Sequence, residues 1–212
     1  GWCFPTGTMV GNGFAWGQLS HTLAWVLKVT GLIPSSVICD MNYTETTGAD
    51  MYDAAIIRCT TGAMICIQGV ATLAGEKPKG DGDERPSGKQ AEHRIYGSEG
   101  YITYNGIDTK QDSGGLILRR HDGQSEDLPG FDWEDGEQDG NGPLSLQAFI
   151  DGCRGKKDIW NGADARIGYL AVCVLEGMYR SARNDGRRES LSCSGPAECM
   201  RTESSRKRAR TS

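Results

Sequence analysis

No stretch of this sequence approaches the roughly 18 consecutive apolar residues that a membrane-spanning helix requires. Its most apolar helical segment, around Ile167 to Met178, is broken by Gly168, Tyr169, Glu176 and Gly177, so no membrane partner is expected. Positive charge is also short: 23 Lys and Arg stand against 28 Asp and Glu, a formal net charge of -5. The body of the protein therefore lacks the basic surface that binding a phosphate backbone needs, and no nucleic-acid partner is expected for the folded part. Histidine is scarce. His21, His93 and His121 lie in separate segments, the last two beside charged neighbours as surface residues are, and they supply no metal-ligand spacing. A Gly-x-Ser-x-Gly elbow and a phosphate-binding glycine-lysine loop are both missing, which removes support for serine hydrolases and nucleoside triphosphatases. None of the eight cysteines forms a Cys-x-x-Cys pair, and most stand in apolar runs such as Val37–Asp40 and Met64–Gln68. Reduced thiols acting as small buried hydrophobes, in a reducing and cytoplasmic setting, are the expectation.

The 212 residues suffice for one core of ordinary size. From Trp16 to Thr30, Leu19, Leu23, Val26 and Leu27 recur at helical spacing, and Gly31 stops the helix before Pro34. Short β-rich runs follow at Val37–Asn42, Tyr52–Cys59, Ala63–Leu73, Gln90–Tyr96 and Tyr101–Tyr104. Thr60-Thr61-Gly62 and Gly97-Ser98-Glu99-Gly100 are short enough to make hairpins, so strands on either side pair antiparallel. Another strand, Leu116–Arg120, precedes an acidic, glycine-rich stretch from Asp122 to Gly142 that reads as loop.

Helices then return. Pro143 opens one, with Leu146, Phe149, Ile150 and Cys153 on a single face. Asn161 is placed to cap a second, in which Ile167, Leu170, Ala171, Val174, Leu175 and Met178 repeat with helical period. Strands grouped between helices predict an α+β fold: an open, predominantly antiparallel sheet with helices packed on one face. The folded domain is expected over residues 1–184. Beyond it, residues 185–212 are Ser- and Arg-rich and read as a disordered tail, in which Arg206-Lys207-Arg208-Ala209-Arg210 reads as a solvated basic run.

His21 falls opposite the Leu19/Leu23/Val26/Leu27 stripe and shares its side with Gly17, Ala24 and Lys28. An imidazole among small residues, facing away from the core, suits a helix lining a ligand cleft. Just upstream, Gly11-Asn12-Gly13-Phe14-Ala15-Trp16-Gly17 has the outline of a dinucleotide fingerprint, with Asp40 closing a following strand. It fails where a third glycine would let helix and strand approach, because Trp16 stands there.

The runs Gly17-Gln18-Leu19-Ser20-His21-Thr22-Leu23, Thr30-Gly31-Leu32, Gly48-Ala49-Asp50, Ile95–Gly100 and Gly162-Ala163-Asp164-Ala165 together resemble the C-terminal domain of the Gfo/Idh/MocA oxidoreductases, the glucose-fructose oxidoreductase and inositol dehydrogenase family. The likeness spans about Gly1 to Arg183. It implies the substrate side of an NAD- or NADP-dependent oxidoreductase acting on a sugar, polyol or cyclitol, with the cofactor-binding domain outside this chain. It further implies that His21 relays a proton, that Gln18 and Ser20 orient a substrate hydroxyl, and that copies associate into a homo-oligomer through the β-sheet. In that family an aspartate one turn before the histidine assists it; here that position is Gly17. Glu76-Lys77-Pro78 has the form of the family's catalytic-lysine loop but lies downstream of the histidine helix, in a polar insertion, and reads as a solvated loop. The alternative reading is a non-catalytic binding or oligomerisation module that uses the open sheet as an interface.

Overall fold

The computed structural model describes residues 12–71, 90–107, 112–131, 143–156 and 163–193. Glu76–Pro78, Asn161 and the basic run at 206–210 lie outside them. In chain order the elements are a π-helical turn Ala15–Leu19, α1 Ser20–Thr30, β1 Pro34–Tyr43, β2 Asp50–Cys59, β3 Met64–Val70, β4 Gln90–Gly97, β5 Gly100–Ile107, β6 Gly114–Arg120, β7 Ser125–Phe131, α2 Pro143–Cys153, α3 Ala165–Arg183 and β8 Glu189–Ser190. They fall into two compact units, residues 1–71 with 163–212 and residues 72–162. The class is α+β as expected, with two four-stranded antiparallel sheets where one was read from the sequence.

In the first unit the strand order is β3-β2-β1-β8. β2 alternates strictly from Asp53 to Cys59, its odd-numbered residues buried and its even-numbered ones exposed, which is the signature of a sheet covered on one side. Val37, Cys39 and Met41 of β1, Ala55 and Ile57 of β2 and Ile67 of β3 meet Leu19 and Leu23 of the first helix and Ala171, Val174, Leu175, Met178 and Tyr179 of α3. Helices therefore pack on one face. The helical stripe expected in α3 is buried at Leu170, Ala171, Val174, Leu175 and Met178. Its cap is Asp164, whose carboxylate accepts from the Ile167 N–H at 2.9 Å. α1 ends at Gly31 in the left-handed region, φ 66°, as a helix stop there requires.

Other expectations change in both units. Residues 185–193 do not begin a disordered tail: after the turn at Asp185-Gly186, Ser190 pairs with Ser36 and Glu189 with Val37. Ser181 explains why a polar segment docks there. Its fully buried hydroxyl donates to the Arg187 carbonyl at 2.6 Å and accepts from the Cys39 N–H at 2.9 Å, which satisfies β1 where β8 no longer reaches.

A further correction lies in the other unit, whose strand order is β4-β5-β6-β7. Both expected hairpin links hold, with Gly97 paired to Gly100 at one and the β2–β3 turn at the other. The segment Ser125–Phe131, read as loop, is strand β7. It forms an outer strand, nearly all exposed, and accommodates Pro129 and a bulge at Gly130 of φ 76°; edge position is where a strand tolerates proline. An Arg119–Asp127 ion pair crosses to β6. His93, expected at the surface, is half-buried beside Tyr104, ring centroids 5.6 Å apart, and burial lowers its proton affinity. His121 is exposed as expected.

Candidate functional site

The helix carrying His21 begins on a buried carboxyl. Asp50, the first residue of β2, has no exposed surface. One of its oxygens accepts the Ala15 N–H at 2.7 Å and the other the Tyr179 hydroxyl at 2.5 Å, while the Gly13 N–H approaches the Tyr179 oxygen at 3.4 Å. Helix N-termini present unpaired N–H groups and partial positive charge, and so favour an anion. Here the anion site at the glycine-rich turn is filled from within the chain. Gly13 is required for this: a Cβ on it would collide with Asp50. The outline of a dinucleotide fingerprint at Gly11–Gly17 thus has another physical cause. The Gly13 and Ala15 amides are committed to Tyr179 and Asp50, and every strand pairing among the described residues is antiparallel, whereas the dinucleotide fingerprint belongs to a parallel βαβ unit.

Three residues along β2, Asp53 sits between Met41 and Gly69 on the core side of the sheet. It is 4% exposed, and as a carboxylate neither oxygen has a partner. The space above Gly69 is taken by the Phe14 ring and Leu19, which a Cβ there would strike. Burial first, then the nearby Asp50 charge, push the Asp53 carboxyl up to about 8, since a protonated Asp53 can donate a hydrogen bond to Asp50. Burial, followed by Asp53, Asp40 and Asp50, likewise pushes the Cys39 thiol up to about 12. The Tyr179 phenol is raised by burial and by its bond to Asp50, and stays a donor. A block of acidic, proton-holding groups thus lies under the entry to the first helix.

His21 is exposed, at the second position of α1. Leu23 and Leu27 are fully buried, and Val26 of the expected stripe is half-buried. Gln18 is half-buried within the π-helical turn. Ser20 is half-buried as well, and its hydroxyl donates to the Trp16 carbonyl at 2.7 Å, leaving its oxygen lone pairs for any further contact. The three candidates thus fall within the four residues 18–21 of the helix entry, and the Asp50 bond to the Ala15 N–H fixes that entry. Asp50, Asp53 and Tyr179 were not singled out as site residues from the sequence. One signal was present: Asp53 falls in phase with Ala55, Ile57 and Cys59, which places a carboxyl on the core side of a strand. Among the described residues no group of three or more His, Cys, Asp or Glu is arranged to hold a metal ion, and no helix is long and apolar enough to cross a membrane.

No protein-family description matches the chain, and no curated protein matches it. Solved structures do. The WlbA dehydrogenase of Bordetella pertussis, determined in complex with NADH and UDP-GlcNAcA, is 21% identical, with a TM-score of 0.55 over 84% of this chain and 45% of its own. The aldose-aldose oxidoreductase of Caulobacter crescentus, complexed with glycerol, is 15% identical, with a TM-score of 0.53 over 81% of this chain and 45% of that one. An NAD-binding protein from Listeria innocua shares 15% identity, with a TM-score of 0.50 over 87% of this chain and 49% of that one. The chain spans less than half the length of each of the three. At these identities the match establishes the fold, one that is found as part of oxidoreductases and dehydrogenases.

Proposed function

We propose that this chain supplies the substrate side of a two-domain NAD- or NADP-dependent oxidoreductase of the Gfo/Idh/MocA type, acting on a sugar, polyol or cyclitol. The dinucleotide would be held by residues outside the chain. The observation that carries this reading is the exposed His21 at the start of a helix whose entry is pinned by buried Asp50. A catalytic group needs fixed placement together with access to substrate, and that arrangement offers both. An imidazole there can take up and return the proton that accompanies hydride transfer, while Gln18 and the Ser20 oxygen would orient a hydroxyl. The missing carboxylate at Gly17 leaves the imidazolium without the partner that would stabilise it. A nicotinamide would supply the hydride chemistry, and this chain would contribute substrate binding and the proton. The names of the structures it resembles, with a nucleotide sugar in one and an aldose activity in another, agree with the substrate class.

The second reading, a non-catalytic assembly module, draws on the exposed apolar residues Tyr52, Ile56 and Met64 of β2 and β3. Titration calorimetry of the chain separates the two. Saturable binding of a nucleotide sugar or polyol, without saturable binding of NADH or NADPH at micromolar concentration, is expected for the substrate-side reading. Binding of neither class favours the assembly module. Tight dinucleotide binding would overturn the proposed division of labour.

A further inference from the structure

We propose that Cys173 and Cys193 form a reversible disulfide that fastens the segment following β8 onto α3. Three contacts set the register of that segment along the helix. The Arg180 guanidinium reaches the Glu189 carboxylate and the Ser190 carbonyl, each at 3.2 Å. One turn earlier, the Leu191 side chain fills the space where a Cβ on Gly177 would stand. Two turns earlier still, the Tyr169 hydroxyl donates to the Ser192 carbonyl at 3.3 Å. Residues 169, 173, 177 and 180 are three or four apart and so share one face of the helix.

Cys173 therefore lies on the stripe between two contacts already made. From Gly177 back to Cys173 a helix travels about 6 Å, at roughly 1.5 Å per residue. From Leu191 to Cys193 an extended chain travels about 6.6 Å, at roughly 3.3 Å per residue. The two thiols arrive at the same level, close enough to hydrogen-bond each other. Both are partly exposed, whereas Cys39 and Cys59 are buried, so a small oxidant reaches this pair. Burial, and then the adjacent Cys173, push the Cys193 thiol up to about 12, so Cys193 holds its proton at neutral pH.

With hydrogen peroxide as that oxidant the step balances. The two thiols give up two protons and two electrons, a sulfur–sulfur bond forms, the peroxide oxygen–oxygen bond breaks and two waters leave. A dithiol reductant reverses it by exchange.

The test is native oxidation of the full chain with hydrogen peroxide, digestion without reductant and mass spectrometry, alongside thermal melting. The expected result is a dominant Cys173–Cys193 linked peptide two hydrogens lighter than its reduced parts. The melting temperature should rise by several degrees and return on adding dithiothreitol. Cys173→Ser and Cys193→Ser should each abolish both signals. Cross-links dominated by other cysteines, or recovery of Cys173 and Cys193 as unlinked species, would overturn the pairing. A Cys173–Cys193 link without a rise in melting temperature would overturn the fastening.

Discussion

A carboxyl buried with both oxygens unpartnered lowers its free energy most directly by keeping its proton. Asp53 is such a group, and those facing it are Asp50 of its own strand and Cys39 of β1, while the Tyr179 hydroxyl of α3 meets Asp50. Its folded-state proton affinity is raised, to about 8, against an unfolded value of about 3.9. Stability from this group is therefore fully present below the unfolded value and is lost as pH rises through the folded one. Asp53→Asn supplies a permanent donor in place of the protonated carboxyl. The variant should melt close to the wild type near about pH 5 and above it near about pH 9; thermal melts at both pH values decide the matter, and a wild type that gains on the variant with rising pH would sink the idea. The contrast between His21 and Leu23 belongs to the same scale. His21→Ala should cost within about 0.5 kcal/mol, as exposed changes do, and Leu23→Ala about 2–5 kcal/mol, since it opens a cavity at a fully buried position. Urea unfolding of the two variants measures the difference. Helical periodicity was enough to place these two residues on opposite sides, because the period is a local property. The Asp50–Tyr179 bond joins residues 129 apart in sequence, and no local pattern encodes such a pairing.

Among the elements, those with a strong apolar period were readable from sequence: α1, α3 and the β2–β3 and β4–β5 hairpins. Their composition matches the environment into which they fold. β7 and β8 were not, and the reason is common to both. Ser125–Phe131 is almost wholly exposed, and Glu189-Ser190 is polar; each is held by backbone pairing and side-chain bonds and shows no alternation to read. For β8 the decisive side chain is Ser181, a small polar residue in an otherwise apolar helical stripe. Ser181→Ala would leave the Cys39 N–H and the Arg187 carbonyl without their partner. A buried group left unpaired costs about 1–3 kcal/mol, so the variant should unfold at lower urea and lose amide-exchange protection across residues 187–191 first. A loss below about 0.5 kcal/mol would mean that water replaces the hydroxyl without penalty.

At the scale of the molecule, the first sheet has a second face, and the strand register states what is on it. Across β1, β2 and β3 the outward rows read Asn42-Tyr52-Val70, Asp40-Ala54-Gln68, Ile38-Ile56-Cys66 and Ser36-Arg58-Met64. Ile57, Ile65 and Ile67 turn to the core side instead, so the apolar residues available for contact are Ile38, Tyr52, Ile56, Met64 and Val70. Tyr52 is 49% exposed, Ile56 47% and Met64 62%, and Cys66, which the sequence placed in the core, is exposed with them. On the assembly reading proposed above, side chains of this size grouped on one sheet face would form the association surface. The rows are mixed: Ile38, Ile56 and Cys66 form an apolar centre between rows that carry Asp40 and Arg58. An apolar patch with polar groups beside it suits pairing of two copies, in which each supplies the same surface. Sedimentation velocity should then show self-association at tens of micromolar. Ile56→Lys places a charge at the centre of that face without touching the core, and should weaken association at least about tenfold, or 1.4 kcal/mol, with little change in melting temperature at low concentration. A wild-type chain that stays monomeric throughout that range would remove the surface from consideration, and with it the support for the assembly reading.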